Sequence, residues 1–117
     1  MRAFALSVVV LATLFALGSV LGPAQRASAQ QTVDGKAVFV AEKCGLCHGV
    51  QAAGIQAKTT SEKLKGPDLS GYEAEEGFDV RSYLRKESEK DGAAHRREFK
   101  GTDEELQALL DWLKATG

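Results

Sequence analysis

The sequence predicts an all-α fold of three main helices, the first two separated by a long wrapping loop. Three observations carry this. A capped apolar stripe begins at Asp34, a second capped stripe closes the chain, and about thirty residues between His48 and Gly77 show little periodicity. Asp34 has the short acceptor side chain favoured at a helix N-cap, and Ala37, Val38 and Ala41 recur at helical spacing, predicting a first helix from about Gly35 to Cys44. Val80, Tyr83 and Leu84 share one face of a middle helix predicted from about Asp79 to Glu89. The last helix has the clearest start. Thr102 and Glu105 form the S/T-x-x-E capping box, and Leu106, Leu109, Leu110 and Leu113 follow at i, i+3, i+4 and i+7.

The 117 residues fit one small domain, and 15 basic against 16 acidic side chains give no clustered positive excess for nucleic acid or an anionic membrane surface. Residues 1–29 read as a secretory signal peptide outside that domain. Arg2 supplies the positive start, Ala3 to Leu21 carries no charge, Pro23 breaks the apolar run, and Ala27-Ser28-Ala29 places small residues before a cut at Ala29/Gln30. The alternative is an uncleaved anchor, because about 20 apolar residues span a bilayer. Cleavage leaves residues 30–117 as the domain, with 13 basic and 16 acidic residues and no membrane span. A chain this short, with only 7% aromatic residues, needs a cross-link, a metal or a cofactor to supplement its core.

The cysteines indicate which. Cys44-Gly45-Leu46-Cys47-His48 is C-x-x-C-H, the spacing of covalent c-type haem attachment. Two thiols three residues apart on one turn can each add to a vinyl group of one porphyrin, and the next imidazole falls under the iron. Three other readings compete, the last being chance occurrence of the spacing in a chain with only two histidines. A C-x-x-C redox disulfide needs no following histidine and belongs with a thioredoxin-like βαβ pattern. A structural zinc needs four ligands, and only one further histidine, His95, is available. Haem also resolves the long loop, since stretches well beyond about 15 residues without structure are rare unless functional. A buried porphyrin gives such a loop an apolar partner.

At these residues the chain resembles the small monohaem class I c-type cytochromes, exported bacterial electron carriers. The likeness begins at Asp34-Gly35-Lys36-Ala37-Val38-Phe39, runs through the attachment motif, and returns at Lys65-Gly66-Pro67-Asp68-Leu69-Ser70-Gly71 and in the last helix. It implies a cytochrome c-like fold wrapped around one haem c, covalently held through Cys44 and Cys47. It further implies that the Pro67 carbonyl accepts a hydrogen bond from the free ring nitrogen of His48, orienting the proximal ligand; a plain turn proline is the alternative. Gly35 and Phe39 are implied to pack against Leu109 and Trp112 where the terminal helices meet.

The chain departs from that family at the sixth iron ligand, usually a methionine after the middle helix. Its one methionine, Met1, lies in the signal segment. His95, in Asp91-Gly92-Ala93-Ala94-His95-Arg96-Arg97-Glu98-Phe99, falls where the family's methionine does. Neutral imidazole is a strong iron ligand, so His48 and His95 are the expected metal ligands. Lys90 or Lys100 as ligand, or an open site, are the alternatives.

Two protein ligands leave no place for substrate, so the expected function is one-electron transfer rather than enzymatic catalysis, at a potential below that of His/Met members. Otherwise an open sixth site would make the protein a small-ligand sensor or a peroxide-reducing haem protein, and a third reading is a haem subunit of a larger dehydrogenase. The expected partners are redox proteins (a dehydrogenase, an oxidase or another cytochrome), the expected state a monomer, and the expected location the periplasm. In the family, docking surrounds the exposed haem edge, here near Lys43, Lys58, Lys63 and Lys65, with Glu73, Glu75 and Glu76 elsewhere.

Overall fold

The computed structural model describes residues 32–117; the proposed signal segment lies outside the described residues. Helix α1 spans Gly35–Ala41, α2 Val80–Leu84 and α3 Asp103–Ala115, and a two-residue antiparallel hairpin, β1 (Glu89–Lys90) and β2 (Ala93–Ala94), precedes α3. Single 3-10 turns occupy Cys44–Leu46 and Gln51–Ala53. The all-α architecture stands, with α1 and α3 packed together as its frame.

Asp34 caps α1 by accepting the Lys36 N–H at 2.9 Å. The buried face is Gly35, Val38 and Phe39; Ala37 and Ala41, expected on the apolar stripe, are exposed. The helix also stops three residues before Cys44. Lys43 takes the left-handed conformation (φ 58°), and the chain re-enters as the tight turn Cys44–Leu46. Gly35 permits the α1–α3 contact by having no side chain. A Cβ there would fall 2.1 Å from the Ala108 carbonyl oxygen and 2.5 Å from Trp112 Cβ. Phe39 then meets Trp112 with ring centroids 5.5 Å apart and tilted by 57°.

Helix α3 begins with the predicted capping box, Glu105 N–H to Thr102 Oγ1 at 3.2 Å and Thr102 N–H to Glu105 Oε2 at 2.7 Å. It buries Leu106, Leu109 and Leu113, while Leu110 is half-buried. Helix α2 is shorter than predicted. Asp79 caps it rather than joining it, accepting from the Arg81 and Ser82 N–H groups. Its end is a Schellman arrangement: Lys86 N–H donates to Tyr83 O and Glu87 N–H to Ser82 O, with Lys86 left-handed at φ 59°. Glycine usually marks that position, so nothing in the sequence announced the stop. The hairpin was not predicted either, although Asp91-Gly92 is a favoured two-residue turn and both residues have positive φ (53° and 77°).

The loop after His48 folds back on the attachment turn. Val50 and Ile55 pair in an isolated bridge, Lys58 and Thr59 N–H donate to the carbonyls of Gly45 and Leu46, and Gly66 N–H donates to Cys47 O at 2.8 Å. Asp68 ties two stretches together, accepting from Gln51 N–H at 2.9 Å and Ser70 N–H at 3.1 Å. Gly71 N–H reaches Thr116 O at 2.6 Å, fastening the loop to the end of α3.

Candidate functional site

The small helical frame leaves a cavity of about 430 Å³ bounded by the attachment turn, the Lys63–Pro67 stretch, α2, the segment through His95, and the inner face of α3. Phe39, Leu69, Tyr72, Leu84, Leu109 and Leu113 give it a largely apolar wall. Those side chains need an apolar occupant for their inner surface, which loops of this kind do not supply.

Cys44, Cys47, His48 and His95 all line this cavity, and the Gly66-Pro67 pair borders it. The turn Cys44–Leu46 brings both thiols and the imidazole to one edge through tight bonds, Cys47 N–H and His48 N–H both donating to Cys44 O. His48 Nδ1–H donates to the Pro67 carbonyl at 2.8 Å, which leaves Nε2 free. Burial lowers the ring's pKa and the nearby His95 lowers it further, against the opposing effect of the Pro67 carbonyl, so the neutral, ligating form is favoured. Gly66 is the second half of this device. A Cβ at that position would lie 2.2 Å from His48 Cε1, so only glycine lets the loop pass under the ring.

His95 stands just past β2. Its Nδ1–H donates to the Arg97 carbonyl at 2.5 Å, again leaving Nε2 free. The two imidazoles lie with centroids 6.2 Å apart and planes within 8° of parallel. Tyr83 packs edge-on to His95, with centroids 5.3 Å apart and an angle of 70°. The sequence places Tyr83 on the apolar face of the middle helix; the fold also makes it a neighbour of His95, which no local spacing signals. The Arg97 carbonyl was equally invisible, being backbone.

The lysines considered as sixth ligands are placed differently. Lys90 Nζ pairs with Glu75 at 2.9 Å and sits 4.8 Å from the centre of the Phe78 ring, and the Glu75 bond raises its pKa, making loss of the proton harder. Lys100 lies outside the cavity lining, its backbone N–H donating to Glu42 at 3.2 Å. Lys43, Lys58, Lys63 and Lys65 are exposed, and the last two border the cavity. In the acidic run, Glu73 pairs with Lys114 and Glu75 with Lys90.

The donor set discriminates among the possible occupants. Burial, reinforced by Glu42, pushes the Cys44 thiol up to about 11, whereas a redox-active or metal-binding cysteine needs a lowered pKa. Among the described residues no three His, Cys, Asp or Glu side chains converge as a metal site of their own. What remains is two unpaired thiols at one edge of an apolar cavity with free imidazole nitrogens beside it. A flat apolar macrocycle that forms thioethers and brings its own iron fits these groups.

No helix among the described residues is long and apolar enough to cross a membrane. Comparison with curated proteins and with solved structures returned no match. The family comparison did: residues 32–117 match the model described as cytochrome c, essentially the whole described region. With the attachment spacing of Cys44, Cys47 and His48 inside that match, the chain belongs to the cytochrome c family, whose members carry a covalently bound haem c.

Proposed function

We propose that this member of the family is a periplasmic one-electron carrier whose haem iron is ligated by His48 and His95, the first 29 residues being an export signal removed before Gln30. Haem supplies a one-electron iron couple; the chain supplies its ligands, its orientation and its exclusion from water. The observation that carries the reading is the relation of the two imidazoles. Both use Nδ1 to bond a backbone carbonyl and keep Nε2 free, and their centroids are 6.2 Å apart. Two metal–imidazole bonds of about 2 Å each, together with the depth of two half-rings, come to about 6 Å, so the centroid spacing supports ligation of one metal ion by both rings. The engagement of Lys90 with Glu75 supports His95 over lysine as sixth ligand. Two protein ligands leave no exchangeable position, which favours electron transfer over sensing or peroxide reduction, with redox proteins as partners.

The test is the optical and EPR spectrum of the haem-loaded protein, ferric and ferrous, with and without CO, beside His95→Ala. A low-spin wild type lacking the methionine–iron charge-transfer band, converted by the substitution to a high-spin, CO-binding form, is the expected result. A high-spin, CO-binding wild type that His95→Ala leaves unchanged would overturn the ligation and move sensing or catalysis to the front. Mass determination of the exported protein checks the cut at Ala29/Gln30.

A further inference from the structure

His95, the proposed sixth ligand, stands on a short segment, yet its ring plane is within 8° of parallel to that of His48. A hydrogen bond from Nδ1 restrains one point of an imidazole and leaves the ring free to tilt about it. A second contact is needed to fix the plane, and α2 provides one. Tyr83 lies edge-on to His95 at 5.3 Å and 70°, and is itself backed by Phe78 at 5.4 Å and 59°. Phe78 lies under the Lys90 ammonium, which is paired to Glu75. Tyr83 is also fixed from below, because Asp79 caps its helix and the Lys86–Tyr83 bond closes it. A supported aromatic ring set at 70° to the imidazole and a carbonyl acceptor therefore bear on His95 together.

We propose that Tyr83 is a positioning residue that, together with the Arg97 carbonyl, holds the His95 ring plane parallel to that of His48. The inference rests on the ligation of iron by both histidines. An imidazole bound through Nε2 can spin about its bond to the metal, and the groups packed around it choose the angle. The angle has an electronic consequence. Parallel ligand planes split the iron orbitals that interact with the two rings, whereas perpendicular planes leave them nearly degenerate. Ferric low-spin EPR separates the two cases, as a resolved rhombic signal or a single feature at large g.

The experiment compares ferric EPR and optical spectra of haem-loaded wild type, Tyr83→Phe, Tyr83→Leu, Tyr83→Ala and His95→Ala. Wild type gives the rhombic signal, and Tyr83→Phe retains it because the ring edge remains. Tyr83→Leu, which fills most of the space without an aromatic edge, and Tyr83→Ala stay low-spin while their signal moves toward the large-g form. An unchanged rhombic signal in either of these two variants overturns the positioning role while leaving ligation intact. A wild-type low-spin signal that survives His95→Ala overturns the ligation itself, independently of Tyr83. Loss of folding in Tyr83→Ala does not remove the test, because Tyr83→Leu and Tyr83→Phe read the same signal.

Discussion

Gly66 shows how a single missing side chain sets the chemistry of this site. It does not sit at positive φ, so its role is space, and that space is taken by the His48 ring. Gly66→Ala should displace the imidazole from the Pro67 carbonyl and, under the proposed ligation, weaken its bond to iron; a high-spin fraction in the ferric optical spectrum checks this. Phe39 is the counterpart in the core, 2% exposed against Trp112 and the cavity. Phe39→Ala should cost about 3–5 kcal/mol in denaturant unfolding of the haem-loaded protein. Both residues were legible in the sequence as part of a family pattern, but the reason for Gly66, a ring 18 positions earlier in the chain, was not.

At the scale of elements, side-chain caps fix where the helices start. Thr102→Ala removes one half of the α3 capping box and should cost about 1 kcal/mol, read as a lowered midpoint in urea. The carboxylate caps predict the response to acid. Hydrogen bonds from the Ser70 hydroxyl and the Gln51 backbone hold Asp68 below the usual carboxylate range, and those from the Ser82 side chain and backbone do the same for Asp79. A folded-state pKa below the unfolded value of about 3.9 means that the stabilisation is complete above that pH and is lost as pH falls through the lower folded value. Acid unfolding of the wild type should therefore steepen below about pH 4, and Asp68→Asn with Asp79→Asn should flatten that limb. Element starts were readable because caps are local; Asp34 and Thr102 stand where expected. Element ends were not, because Lys43 and Lys86 adopt left-handed conformations that the tertiary fold imposes on non-glycine residues.

For the molecule as a whole, the balance between core and cavity decides behaviour. The buried apolar core is Val38, Phe39, Val50, Phe99, Leu106, Leu109 and Leu113, set against a cavity of about 430 Å³. Without an occupant, the apolar surface lining that cavity is left to water, and a domain this small has little stability to offset it. The Cys44→Ala, Cys47→Ala chain, purified free of haem, should therefore show reduced helical circular dichroism and no cooperative melting transition. A native-like cooperative transition in that variant would contradict this assignment of the missing stability. The proposed ligation by His95 rather than a methionine also predicts a midpoint potential below that of His/Met cytochromes, checked by voltammetry.

The sequence alone determined the cofactor, the family resemblance and the helix starts. Attachment spacing, capping and apolar periodicity are local properties, written in residues within one or two turns of each other. Tertiary structure decided what the long-range contacts arrange: where α1 and α2 stop, how the loop brings Pro67 to His48, and how Tyr83 and the Arg97 carbonyl bear on His95. The physical reason is that a backbone carbonyl has no residue-type signature and a ring's orientation depends on partners distant in the chain. Only packing around a shared cavity brings those groups together.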